Sequence, residues 1–260
     1  MAFLQANVFS NVLQMEVMLD IILPQKIRKS FGTNAPGRTE DVPVLYLLHG
    51  MHGNHSVWQR RTSIERYVAD LGLAVIMPST ELGFYTDTTF GANYWTFISS
   101  ELPDICHELF PQLTTRREKT YAVGLSMGGY GALKLGMRCP EKFGAVASLS
   151  GALALAEMLE QMEELPNPAY WTGIFGAVDQ FKHSENDPIH LIQTVDVTKA
   201  PRVFVCVGTE DPLYPASQYA VQQMNERGLA VTYEEGPGAH TWDFWDLWIQ
   251  RVLSWLTEEV

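Results

Sequence analysis

A serine set among small residues is the first feature of this chain that could do chemistry: Gly124-Leu125-Ser126-Met127-Gly128. It follows Tyr121-Ala122-Val123, which reads as a strand, and precedes Tyr130-Gly131-Ala132-Leu133-Lys134-Leu135, which has helical spacing. Such a strand–turn–helix lifts a hydroxyl above a sheet, and glycines at 124, 128 and 129 relieve the crowding of a sharp turn. At neutral pH a serine hydroxyl is a weak nucleophile and needs a base, itself oriented by an acid. Asp211 and His240 are the candidates. Val203-Phe204-Val205-Cys206-Val207 runs into Gly208-Thr209-Glu210-Asp211-Pro212, so Asp211 follows a strand end. Val231-Thr232-Tyr233-Glu234 runs into Gly236-Pro237-Gly238-Ala239-His240, so His240 follows the next. Glu210 competes with Asp211 for the acid role, and Asp243 offers His240 a local partner. Serine, acid and histidine reaching three strand ends in that order point to acyl transfer.

Acyl transfer also needs donors aimed at the developing oxyanion. The N–H of Met127 opens a helix and has no upstream helical partner. A second donor is expected after Leu47-Leu48, in the loop His49-Gly50-Met51-His52-Gly53-Asn54, where the N–H of Met51 is the choice. His49, His52 and His55 have no acid or thiol cluster beside them in sequence, so no metal site and no cofactor are expected.

Positioning these residues requires a stack of parallel strands, and the rest of the chain reads that way. Val8 to Pro24 is early strand material, and Lys26 to Asp41 a surface turn. Val44 to Leu48 is apolar on both faces, as a central parallel strand should be. Ile64 to Leu71 has helical spacing, Leu73 to Met77 is a strand stopped by Pro78, and Ser79 to Thr96 is a long loop. A helix over Leu102 to Phe110 follows, with Pro103 tolerated in its first turn. Then come a strand over Thr120 to Val123, a helix from Gly128 to Arg138 and a strand over Phe143 to Leu149. Gly151 to Lys199 breaks the rhythm and reads as an insertion over the active-site edge of a single domain spanning 1–260. Val203 to Val207, a helix over Ala216 to Arg227, Val231 to Glu234 and a helix over Phe244 to Leu256 close an α/β fold with a mostly parallel sheet. Of the aromatics in the long loop and the insertion, Tyr94, Trp95 and Trp171 are expected to wall a substrate pocket. Trp242, Trp245 and Trp248 read as core or interface residues of the last helix, and Arg60-Arg61 as a solvated face.

Composition removes other classes. With 18 Lys and Arg against 30 Asp and Glu, the net charge of −12 argues against a nucleic-acid partner. A 46% hydrophobic, 18% charged chain can build a core. No apolar run is long enough to span a membrane, so no membrane span is expected. Met1 to Gln14 has no Lys or Arg, and no secretory signal is read there. Cys106, Cys139 and Cys206, an odd and widely spaced set, suit reduced thiols in a cytoplasmic protein.

Several blocks together resemble the esterase D-like branch of the α/β-hydrolase superfamily, and most of all its tributyrin esterase and acetyl esterase group. They are PVLYLLHGMHGN from Pro43 to Asn54, Glu101-Leu102-Pro103, REKTYAVGLSMGGY from Arg117 to Tyr130, Ser150-Gly151-Ala152-Leu153, Pro168-Ala169-Tyr170-Trp171 and Gly238 to Trp242. The resemblance implies an α/β-hydrolase fold and a serine carboxylesterase that hydrolyses short-chain acyl esters, a small-molecule substrate class. It implies Ser126, Asp211 and His240 as triad and the Met51 and Met127 N–H groups as oxyanion donors. The same branch holds S-formylglutathione hydrolases, feruloyl esterases and mycolyl transferases. The chain departs from the first of these in lacking a longer polar loop after its second central strand. The competing readings are S-formylglutathione hydrolase, feruloyl esterase, acyltransferase and non-catalytic hydrolase-fold binding protein; loss of a triad member would mark the last, and none is missing. The aromatic last helix and the resemblance leave room for a homo-oligomer.

Overall fold

A strand with no charged side chain and four aliphatic ones needs neighbours on both edges and cover on both faces. Val44–Leu48, buried at every position, has them. The computed structural model of the chain describes residues 1–26, 37–160 and 166–258. Its strands are β1 (Ala2–Ser10), β2 (Met15–Leu23), β3 (Val44–Leu48), β4 (Ala74–Pro78), β5 (Thr120–Leu125), β6 (Ala145–Leu149), β7 (Arg202–Gly208) and β8 (Val231–Gly236). They form one sheet in the order β1-β2-β4-β3-β5-β6-β7-β8. β1 and β2 are antiparallel, and every pairing from β4 across to β8 is parallel.

Helices cover both faces. α1 (Val57–Arg61), α2 (Ile64–Ala69) and, later in the chain, α11 (Trp242–Thr257) pack one apolar layer, which includes Leu45, Val123, Phe204 and Trp255. The other layer gathers around α3 (Tyr94–Thr96), α4 (Leu102–Leu109), α5 (Met127–Arg138), α6 (Leu155–Leu159), α7 (Pro168–Phe175), α8 (Val178–Phe181), α9 (Pro188–Thr194) and α10 (Tyr214–Arg227). Four of these, α6 to α9, lie between β6 and β7, where the insertion is expected. The surface turn read across Lys26 to Asp41 falls largely on 27–36, outside the described residues, as do 161–165 of the insertion.

Three differences from the sequence reading have physical causes. The early strand material is two strands, because residues 11–14 turn and Gln14 takes φ 55°. Glu101 holds that turn: its carboxylate accepts from the Ser10 hydroxyl and from the Asn11 and Val12 N–H groups. The helix expected from Leu102 starts earlier, at Tyr94, and passes through a π-helical turn at Phe97–Glu101 that carries this glutamate. Helix α1 is too short for periodicity to reveal it.

Candidate active site

Strand register decides which loops meet. Leu48 pairs with Gly124, Leu125 with Leu149 and Gly208 with Gly236, so β3, β5, β7 and β8 all run out at one edge of the sheet. The residues just past those ends are His49 to Met51, Ser126, Asp211 and His240.

Ser126 follows β5 directly and precedes α5, with φ 53° and ψ −118°, a conformation that L residues adopt only under constraint. Close packing supplies the constraint. A Cβ on Gly128 would sit 2.5 Å from the Leu48 carbonyl oxygen, and one on Gly124 would sit 2.3 Å from the Gly128 carbonyl. Ser126 N–H donates to the Leu149 carbonyl (2.9 Å), tying the turn to β6.

The acid and histidine loops are laced together by backbone. Thr209 N–H donates to the Gly236 carbonyl (2.9 Å) and Glu210 N–H to the Gly238 carbonyl (3.0 Å). Side-chain-free Gly208 permits the approach, since a Cβ there would lie 2.0 Å from the Gly238 oxygen. His240 Nδ1 is then 2.9 and 3.1 Å from the two Asp211 oxygens, and its Nε2 is 3.0 Å from Ser126 Oγ. Asp211 faces the imidazole; Glu210 points away and accepts from the Thr209 hydroxyl and the Gly238 N–H.

Asp211 is 4% exposed. Burial opposes its ionisation, yet the bonds from His240, the Leu213 N–H (2.8 Å) and the Ser150 hydroxyl outweigh burial and hold the carboxyl below the usual carboxylate range. The imidazole is also braced from the side. Trp245 meets His240 edge to face, with ring centroids 4.9 Å apart, and donates its Nε1–H to Ser150 Oγ (3.2 Å). Ser150 and Trp245 were invisible as site residues in the sequence, because their role depends on contacts between β6 and α11.

The loop after β3 is anchored through a buried histidine. His49 Nδ1–H donates to the Gly50 carbonyl (2.8 Å), which fixes the neutral tautomer whose Nε2 accepts from the Thr80 N–H (3.1 Å). Tyr85 OH donates to the His49 carbonyl (2.8 Å), and Trp58 Nε1–H to that of Leu48 (3.0 Å). Burial pushes the His49 imidazole down to about 4. Unfolded histidine titrates near 6.5, so His49 adds its full stability above that pH. This is lost as pH falls from 6.5 towards 4, where only the unfolded chain takes up the proton. Urea unfolding is expected to show about 2 kcal/mol lost between pH 6.5 and 5 from this residue. His49→Gln should flatten that slope; an identical slope in the variant would contradict the assignment.

A cavity of about 440 Å³ opens beside the serine. Gly50, Met51, His52, Leu125, Ser126, His240, Trp242 and Trp245 line it, together with Arg60 and Arg61 of α1. Met51 thus sits beside the serine, and Met127 begins α5, so both proposed oxyanion donors stand at the site. None of Tyr94, Trp95 and Trp171, the aromatics expected to wall a pocket, lines this cavity. Trp95 is buried beneath the Lys134 ammonium and the Arg138 guanidinium, 4.7 and 4.3 Å from its ring centroid. Trp171 is packed among Phe84, Tyr170 and Phe175. Tyr94 lies against Gly83 and lines a separate cavity with Leu13, His55 and Ser79. Trp245, read as core, is part of the apolar layer beneath α11 with Trp242 packed against it, and Arg60 and Arg61, read as a solvated face, are exposed; all four also line this cavity. A second cavity, of about 420 Å³ and mainly apolar, lies around Ala152, Leu155, Leu213 and Tyr219. Ala152 N–H donates to the Ser126 carbonyl (3.3 Å), which makes it a neighbour of the serine.

Cys106, Cys139 and Cys206 are all free. Among the described residues no cluster of His, Cys, Asp or Glu could hold a metal ion, and no helix is long and apolar enough to cross a membrane.

The family described as putative esterase matches residues 10–256. An acetyl esterase of Caldicellulosiruptor saccharolyticus is 30% identical over 99% of both chains. Among solved structures, the Staphylococcus aureus fluorophosphonate-binding serine hydrolase FphF, substrate bound, superposes with a TM-score of 0.87, at 29% identity over 99% of each chain. An S-formylglutathione hydrolase (FrmB) of the same organism gives 0.84, at 30% identity over 98% of each.

Proposed function

The chain belongs to the putative esterase family and is a carboxylic ester hydrolase of α/β-hydrolase fold, and we propose that it cleaves short-chain acyl esters through a Ser126 acyl-enzyme. The observation that carries this reading is the continuous contact from Asp211 through His240 to Ser126, at 2.9 and 3.0 Å. His240 Nε2 takes the hydroxyl proton while Oγ attacks the ester carbonyl. The Met51 and Met127 N–H groups receive the oxyanion. His240 then returns the proton to the leaving alcohol, and water repeats the sequence to free the acid. Asp211 holds the Nδ1–H tautomer and balances the transient imidazolium. The short acyl preference rests on the acetyl esterase, alike over its whole length.

A second reading, thioester hydrolysis of the S-formylglutathione kind, is favoured by the S. aureus enzyme. That enzyme matches over 98% of both chains, so no long loop insertion separates the two. A feruloyl substrate has weaker support, since the ferulic acid esterase is 22% identical and shows the fold alone.

A panel of 4-nitrophenyl esters from acetate to decanoate, with S-formylglutathione beside them, separates these readings. We expect kcat/KM to be highest at acetate to butyrate and to fall beyond. A rate that climbs towards decanoate would mean the chain enters the apolar cavity around Leu155 and Leu213, and would overturn the short-chain reading. A preference of several orders for the thioester would favour the second reading.

A further inference from the structure

Two cations share the cavity of the nucleophile. Arg60 and Arg61 close α1 and line the same 440 Å³ space as Ser126 and His240, and no Asp or Glu lines it among the described residues. Both are exposed and neither makes an ion pair with a described residue, a state they share with Arg66, Arg117, Arg202 and Arg227, so both guanidinium groups are open to an incoming anion. Arg60 spends only its Nε–H, on Ser56 Oγ (2.9 Å). A helix C-terminus favours cations, which accounts for arginines in the last turn but not for both bordering the catalytic cavity. In a chain of net charge −12, an anion approaching this edge meets a repulsive field unless local cations offset it.

The side of the scissile bond assigned to them starts from His240. The imidazole must hand its proton to the leaving atom, and the cavity that His240 shares with the arginines is the space we assign to the leaving half. Guanidinium forks match a carboxylate in geometry as well as charge. We propose that Arg60 and Arg61 select esters or thioesters whose alcohol or thiol half carries a carboxylate. The inference rests on the acyl-enzyme reading and leaves its chemistry unchanged: the acyl group passes to Ser126 Oγ, and the carboxylate-bearing alcohol or thiol departs with the proton from His240.

Two acetates with the same phenyl leaving position test it: 4-acetoxybenzoate, anionic, and 4-acetoxybenzamide, neutral. The readout is the ratio of their kcat/KM values, compared between proteins so that the esters' intrinsic reactivities cancel. We expect Arg60→Ala with Arg61→Ala to lower the ratio about tenfold, and Arg60→Glu with Arg61→Glu to lower it further. Salt gives the same test without substitution: the wild-type ratio should fall as NaCl rises, because exposed charge pairs are screened. Thermal melts of both double variants report folding. A ratio that neither variant nor salt moves by more than about twofold overturns the inference while leaving the esterase reading intact. A wild-type protein that cleaves neither ester, behaving as Ser126→Ala does, overturns the reading beneath it and the inference with it.

Discussion

Ser126→Ala is expected to lower kcat on 4-nitrophenyl acetate by roughly 10⁵-fold, to a residual rate set by binding and oxyanion donors alone. The size of the effect follows from the relay. With Oγ gone, His240 Nε2 has no hydroxyl to deprotonate, and among the described residues the ring's remaining hydrogen-bond partner is the Asp211 carboxylate at Nδ1. Stability should change little. The hydroxyl's recorded partner is His240, a half-buried ring, and alanine keeps the Cβ that already tolerates φ 53° at this turn. A melting temperature within a few degrees of wild type, with activity lost, is the expected pair of results. Retained activity would remove Ser126 from the mechanism.

Asp211→Asn should cost about 10⁴-fold in kcat, and for a different reason. The carboxylate accepts the Nδ1–H of His240 and so leaves Nε2 unprotonated towards Ser126. An asparagine amide can turn its NH₂ towards Nδ1 instead, which favours the tautomer protonated at Nε2. That tautomer cannot take the serine proton. The buried site also loses the anion that offsets the imidazolium formed during attack. Glu210→Gln is the control. Its carboxylate braces the Gly238 N–H and never meets the imidazole, so its loss should fall far short of that at Asp211. A drop of less than tenfold in Asp211→Asn would show that the imidazole is oriented by something else.

The relay was legible in the sequence because each member follows a β-rich run: those before Ser126 and Asp211 are largely buried strands, and that before His240 is a half-exposed edge strand. Val203 to Val207 and Val231 to Glu234 place Asp211 and His240 past neighbouring strand ends before any coordinate is known. The small residues around Ser126 told of a crowded turn, and Gly128 against the Leu48 carbonyl shows the crowding. What could not be read was which aromatic faces the cavity. Trp95 and Trp171 have the composition of a pocket wall, but two cations over the first ring and an aromatic cluster around the second hold both in the interior. Trp245 reaches the site only because α11 packs across β6 and aims its indole at Ser150. Arg60 and Arg61 are exposed, as read, but they belong to a five-residue helix with no period to announce it, so their place on the cavity was unreadable. The division at residues 11–14 likewise depends on a glutamate from a π-helical turn far along the chain.

The central claim is that Ser126 is made nucleophilic by His240 and Asp211 acting as one unit. Stoichiometric labelling with a fluorophosphonate, followed by peptide mass mapping and repeated on His240→Ala and Asp211→Asn, tests it most directly. The expected result is one phosphonyl group per chain, carried on Ser126, with labelling slowed by orders of magnitude in both variants. A label found on another residue, or placed on Ser126 at the wild-type rate when His240 is gone, would contradict it.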